Sequence, residues 1–235
     1  MNKQLLLAFF GFAALATLPA VADEATVKKT VESAFGLQVE NVTKSGYMGL
    51  YEIYANGQIM YTDERVTGLL VGSLVDAKTK KIVSAERMKK LTAVKFSDLP
   101  LDKAIKTVRG DGSRVMATFE DPHCGYCKRL AGDLQKLDIV TIYTFLYPIL
   151  SEASVETSKK VWCSTDRARA WNALMVEGKM PEAASGCQTP IQDMLELGRK
   201  LNIGGTPTLV FASGERIPGA VTLDTIEQRL AATQR

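Results

Sequence analysis

The chain has 235 residues, 46% of them hydrophobic, and carries 29 Lys and Arg against 26 Asp and Glu, a formal net charge of +3. That length allows one large domain or two small ones. Residues 23–95 hold 11 basic and 9 acidic side chains and residues 96–235 hold 17 of each, so neither part offers the basic block of a nucleic-acid-binding surface.

Lys3, the apolar run 5–18 and the small-residue pattern Ala20-Val21-Ala22 have the layout of a secretory signal peptide, with cleavage expected after Ala22. A retained membrane anchor is the competing reading, but the run is short for a span. No other stretch is long and apolar enough to cross a bilayer. In an exported protein the four cysteines at 124, 127, 163 and 187 suggest disulfides, and the sequence by itself permits three pairings.

Residues 23–83 open with an amphipathic stretch, Val27, Val31 and Phe35 at helical spacing. Strand-like runs follow at 38–42, 49–54, 58–61, 69–75 and 81–83, and Asn56-Gly57 is a strong hairpin signal. The region predicts a small helix followed by a curved antiparallel sheet, with no catalytic constellation in it. A unit of this size has a thin core and gains stability by pairing with a second copy. Residues 84–95 contain no Gly or Pro and favour a connecting helix; a disordered linker is the alternative. Leu101, Ala104, Ile105 and Val108 fall at i, i+3, i+4 and i+7 and predict a further helical face, ended by Gly110-Asp111-Gly112.

Beyond that break, 115–119 predicts a buried strand closed by Asp121-Pro122. Cys127, Leu130, Ala131 and Leu134 keep helical spacing, and 140–147 suits a central strand. A helical region spans about 151–201, with Ile191, Met194, Leu195, Gly198 and Leu201 on one face. Residues 208–212 form another apolar strand, Gly214-Glu215 a turn, and Leu223, Ile226 and Leu230 mark a last helix.

Cys124 and Cys127 form a C-x-x-C pair. A zinc site would need two more ligands, yet His123 is the only histidine, Cys163 and Cys187 stand in a different pattern, and the eight methionines are scattered rather than grouped for copper. Neither a metal site nor a cofactor is expected. The motif sits where a buried strand ends and an amphipathic helix begins, which places Cys124 at a helix N-terminus, where unpaired N–H groups and the helix dipole stabilise a thiolate. Three-residue spacing sets Cys127 one turn along, within bonding reach but deeper. Cys124 is therefore the expected attacking thiol and Cys127 the resolving one. His123 is either an electrostatic aid to its neighbour or part of the loop. Further on, Gly205-Thr206-Pro207 precedes an apolar strand, where proline is unexpected unless it makes a bend. A cis Thr206–Pro207 bond would leave the Thr206 backbone free to pair with an extended substrate beside Cys124; a trans proline at a strand entrance is the alternative. Cys163 and Cys187 remain. A structural bridge between them would stabilise by roughly 3–4 kcal/mol, with two free thiols as the alternative.

The run Phe119-Glu-Asp-Pro-His-Cys-Gly-Tyr-Cys127, with Gly205-Thr206-Pro207 downstream, resembles the periplasmic disulfide isomerase family, DsbC and DsbG. Lys160-Val161-Trp162-Cys163 and the later Cys187 match that family's second, non-catalytic disulfide. The resemblance implies a signal peptide at 1–22, a small N-terminal α+β (cystatin-like) dimerisation domain at 23–83, a linker-helix region at 84–105, and a thioredoxin-like α/β catalytic domain with a helical insertion at 106–235. It implies a V-shaped periplasmic homodimer joined through 23–83, with two Cys124 sites facing a shared apolar cleft. Misfolded disulfide-containing exported proteins would be the substrates, held at Thr206 and Pro207, and a membrane thiol reductase of the DsbD type would keep the enzyme reduced. Gly125-Tyr126 suits the isomerase branch, since a related branch carries Pro at the first of these positions. Two rival readings share parts of this pattern. A disulfide oxidase of the DsbA type is typically a monomer without a separate dimerisation module, so residues 23–83 weigh against it. A redox-independent peptide-binding chaperone would leave the cysteines incidental.

Overall fold

The computed structural model describes residues 23–182 and 187–232, and the expected signal peptide lies outside them. Contacts divide the described chain into two compact units, 23–55 with 60–71 and 56–59 with 72–232.

The first unit begins with helix α1 (Glu24–Phe35), capped by the Asp23 carboxylate, which accepts from the Thr26 N–H at 2.7 Å. Val27 and Val31 are fully buried against Val39, Val42, Tyr51 and Ile53, whereas Phe35, one turn on, is left exposed at the helix end. The strands β1 (Val39–Lys44), β2 (Tyr51–Ala55), β3 (Gln58–Thr62) and β4 (Leu70–Val71) form one sheet in that order. Asn56 and Gly57 both have positive φ, 51° and 74°, as a two-residue hairpin turn requires. The run 69–75 pairs over only two residues, followed by an isolated bridge between Val75 and Ile82. Gly72-Ser73 interrupts it, and glycine weakens a strand interior.

In the second unit the connecting helix expected at 84–95 forms but ends early. Helix α2 (Val83–Leu91) stops at Thr92 and gives way to two 3₁₀ turns, Phe96–Asp98 and Leu101–Lys103. The helical face expected at Leu101, Ala104, Ile105 and Val108 is overturned: Ile105–Arg109 is strand β5, antiparallel to β7 (Val140–Leu146) from Ile105↔Thr144 to Arg109↔Val140. Pro100 stands at the start of this segment, and β-branched Ile105, Thr107 and Val108 suit a pleated edge, so sheet pairing outcompetes a short local periodicity. The remaining strands are β6 (Val115–Glu120), β8 (Thr208–Phe211) and β9 (Arg216–Pro218), giving the order β5-β7-β6-β8-β9. β6 runs parallel to β7 across the crossover helix α3 (Gly125–Leu134) and antiparallel to β8. Helices α4 (Glu152–Trp162), α5 (Arg167–Glu177) and α6 (Ile191–Lys200) are inserted between β7 and β8, and α7 (Leu223–Ala232) closes the unit.

Alternation along β6 sends successive side chains to opposite faces. Met116 packs with Leu130 and Leu134 of α3 and with Ile226 and Leu230 of α7. Ala117 and Phe119 pack on the other face with Phe145, Tyr147 and Met194 of α6. Gly198 of α6 is required there, because a Cβ would run into the Tyr147 ring. The Tyr147 hydroxyl donates to the Ile203 carbonyl at 3.0 Å.

Candidate active site

The C-x-x-C lies at the junction of β6 and α3. Cys124 is the residue before the helix, with extended backbone and no side-chain cap of its own, so the first-turn N–H groups face the thiol end of α3 without a competing side chain. Gly125 opens the helix, and Tyr126 stands 59% exposed with the Arg129 guanidinium 5.0 Å above its ring. Cys124 is 6% exposed and Cys127 is fully enclosed, both as free thiols. Cys124 as a residue keeps a small exposure that Cys127 lacks. Burial, reinforced by the charge of Glu120, pushes the Cys127 thiol far above its ordinary range.

The segment before Cys124 is held by a single buried carboxylate. Asp121 accepts from the His123 N–H at 2.8 Å, from the Ser154 hydroxyl at 2.8 Å and from the Leu150 N–H at 3.0 Å, tying the loop to the start of α4. The His123 ring turns to α4 as well, with Nε2 3.1 Å from the Thr157 hydroxyl.

The Thr206–Pro207 peptide is cis, and the Cys124 thiol donates to the Thr206 carbonyl at 3.3 Å. This proximity follows from the sheet: Phe119 pairs with Thr208, so the residues just before β8 lie level with the loop leaving β6. The Thr206 hydroxyl is buried and has no hydrogen-bond partner among the described residues. Away from this site, Cys163 at the end of α4 is joined to Cys187 with Cα atoms 5.7 Å apart. The structure thus brings together Cys124, Gly125, Tyr126, Cys127, Thr206 and Pro207, and keeps Cys163 and Cys187 as a separate covalent pair. Among the described residues no group of three or more His, Cys, Asp or Glu side chains is arranged to hold a metal ion.

Two acidic residues escape a motif search. Asp121 reads as a turn residue, and Glu120 as the polar end of a strand. Every residue of β6 from Met116 to Glu120 is buried, so strand alternation does not single Glu120 out. Glu120 is 1% exposed, accepts from the Thr118 hydroxyl at 2.7 Å through one oxygen, and burial raises it from its ordinary 4.5 to about 7.

A dithiol at a helix N-terminus, beside a cis-proline loop on a mixed sheet with an antiparallel edge, defines a thiol-disulfide oxidoreductase of the thioredoxin fold. Comparison with known proteins agrees. Residues 101–234 match a thioredoxin-like domain family and residues 19–93 the disulfide bond isomerase protein N-terminal domain. The chain is 48% identical over 195 residues to a probable thiol:disulfide interchange protein DsbC of Bordetella parapertussis, covering 83% of this chain and 69% of that one. It is 27% identical to the thiol:disulfide interchange protein DsbC of Escherichia coli, over 92% of this chain and 87% of that one. A crystal structure of a disulfide interchange protein from Neisseria gonorrhoeae superposes with a TM-score of 0.56 at 39% identity, over 58% of this chain and 99% of the other. The chain belongs to the DsbC family of thiol:disulfide interchange proteins.

Proposed function

We infer that the protein is a periplasmic isomerase and reductase that reshuffles wrong disulfides in exported proteins, with Cys124 as nucleophile and Cys127 as resolving thiol. The observation that carries this reading is the placement of the Cys124 sulfur at the N-terminus of α3 and 3.3 Å from the Thr206 carbonyl. Negative charge that develops on sulfur during exchange is stabilised at a helix N-terminus, and the 206–207 peptide gives an extended substrate segment a backbone to pair with.

The chemistry follows from thiol exchange. Cys124 thiolate attacks one sulfur of a substrate disulfide, the other substrate sulfur leaves as thiolate, and a mixed disulfide forms. A second substrate thiolate can then attack the substrate's own sulfur in that bond, releasing Cys124 and leaving a new pairing. Alternatively Cys127 attacks Cys124, the substrate leaves reduced and the enzyme is left oxidised. Isomerisation therefore consumes no electrons, whereas each escape through Cys127 needs two from a reductase, for which a membrane protein of the DsbD type is the proposed source. Cys163–Cys187 takes no part in the exchange and stiffens the helical insertion.

The N-terminal family domain supports a homodimer, with 23–83 as the dimerisation module, 84–105 as the connecting region and 106–235 as the catalytic domain. Residues 1–22 would direct export to the periplasm and be cleaved after Ala22. Scrambled multi-disulfide substrates test the activity: wild type restores correct pairing and Cys124→Ser does not. A Cys124→Ser variant that reshuffles at the wild-type rate would return the protein to the chaperone reading. Rapid alkylation in cells separates isomerase from oxidase, since an isomerase holds Cys124 and Cys127 mostly reduced and an oxidase mostly disulfide-bonded.

A further inference from the structure

Charge is unevenly spread over residues 23–95. Residues 23–75 hold 4 basic and 7 acidic side chains, whereas 76–95 hold 7 basic and 2 acidic ones. The densest part of the basic stretch is a small hairpin. Val75 and Ile82 form its isolated antiparallel bridge, and Lys78, Lys80 and Lys81 stand on the turn between them. The turn is closed by the Asp76 N–H, which donates to the Lys81 carbonyl at 2.9 Å, and by the Lys80 N–H, which donates to the Asp76 carbonyl at 2.9 Å. One Asp76 carboxylate oxygen accepts from the Lys78 N–H at 3.1 Å and from the Thr79 N–H and hydroxyl at 2.7 and 2.8 Å. The base is pinned as well: the Val83 N–H donates to the Leu74 carbonyl at 2.8 Å, and the Leu74 N–H to the Ser84 hydroxyl at 3.2 Å.

Local packing accounts for neither the cations nor the apolar pair of this hairpin. Lys80 has a φ of 59°, in the left-handed region that glycine or asparagine occupies with less strain. A cation therefore stands where the backbone favours another residue. All three lysines are exposed, and their ammonium groups have no acidic partner among the described residues. At the base, Val75 is 53% and Ile82 47% exposed, and as bridged cross-strand neighbours they share one face.

We propose that this hairpin is a membrane-contact element that holds the exported enzyme on an anionic phospholipid surface. Lys78, Lys80 and Lys81 sit among the headgroups, and Val75 and Ile82 enter the layer beneath them. The inference rests on the export reading above. The kind of cation selects the partner. Lysine is a mobile point charge without the fork by which arginine reads one defined carboxylate or phosphate, so three of them suit a diffuse, fluid anionic surface rather than a single acidic site on a protein. The aliphatic pair adds an affinity for a bilayer that a purely ionic contact lacks. Nearby acids do not cancel the charge, since Asp76 is engaged by the turn and Glu86 of α2 has Lys90 one turn along. Retention at the membrane keeps the dithiol close to a membrane-embedded source of electrons, which every escape through Cys127 requires.

The test uses protein isolated after export, with Asp23 confirmed as its N-terminus, and sedimentation with lipid vesicles. Wild type sediments with vesicles of one part phosphatidylglycerol to two parts phosphatidylcholine at about 0.02 M salt and is released at about 0.5 M. It stays in solution with phosphatidylcholine alone. Lys78→Gln, Lys80→Asn and Lys81→Gln together lower the partition coefficient about a hundredfold, or about fivefold per lysine; asparagine suits the φ at position 80, so the turn is kept. Val75→Ser with Ile82→Ser lowers it about tenfold and leaves the salt dependence in place. Equal sedimentation with both kinds of vesicle, or with neither, overturns the proposal, as does a lysine variant that sediments like wild type. Wild type that ignores vesicles but binds polyglutamate overturns it in favour of an acidic protein partner. Met1 found at the N-terminus overturns the export reading, while the difference between wild type and the lysine variant still decides the proposal.

Discussion

Replacing Glu120 with Gln should make the protein more stable in neutral and alkaline solution and leave it unchanged in acid. Burial holds the folded-state value of Glu120 near 7 against an ordinary 4.5. Between these two values the folded protein keeps a proton that the unfolded chain has released, so stability falls as pH rises through that window. The loss is absent below about pH 4.5 and complete above about pH 7. At 1.36 kcal/mol per unit it amounts to about 3 kcal/mol. Glutamine cannot titrate and is close in shape to the protonated acid, so the variant escapes the loss while keeping an acceptor for the Thr118 hydroxyl. The assay is urea unfolding of reduced protein at several pH values, followed by tryptophan fluorescence. Both tryptophans, Trp162 and Trp171, lie in the unit that bears the dithiol, so the signal reports that unit alone. A stability difference between Glu120→Gln and wild type that stays constant from pH 4.5 to 8 would refute the reasoning.

Asp121→Ala leaves two backbone N–H groups and the Ser154 hydroxyl without their acceptor. The expected loss is about 3–5 kcal/mol in the same urea assay, with slower reaction of Cys124 as its loop loosens. Replacing Cys163 and Cys187 together by Ser opens a loop of sequence separation 24; the chain-entropy model predicts a loss of about 3–4 kcal/mol, read by thermal or urea unfolding. Disulfide exchange at Cys124 should survive that double substitution at a temperature where the variant is folded, and a loss of exchange there would give the bridge a part in the chemistry.

Legibility in the sequence differs between the fold and the site for physical reasons. The N-terminus of α3 could be read because Asp121-Pro122 stops a buried strand and Cys127, Leu130, Ala131 and Leu134 restart a 3.6-residue period. The hairpin at Asn56-Gly57 could be read because so few residue pairs accept two positive φ angles. Strand β5 could not. Four apolar residues at helical spacing are too few to outweigh the hydrogen bonds offered by β7, and nothing in 101–108 names that partner. The length of α2 was hidden for a related reason, since helix-forming composition does not say where tertiary packing ends a helix. The thiols and the 206–207 peptide have a chemical signature of their own. Glu120 has none: a single carboxylate at the end of an apolar strand acquires its character from α3 and α5 closing over it, which is a property of packing and not of the local sequence.

Covalent trapping at Cys124 tests the account most directly. With Cys127→Ala the resolving thiol is gone, so a disulfide-bonded substrate should accumulate as a one-to-one adduct whose peptide map places the new bond at Cys124. An adduct through Cys163 or Cys187, or none while wild type remains active, would contradict it.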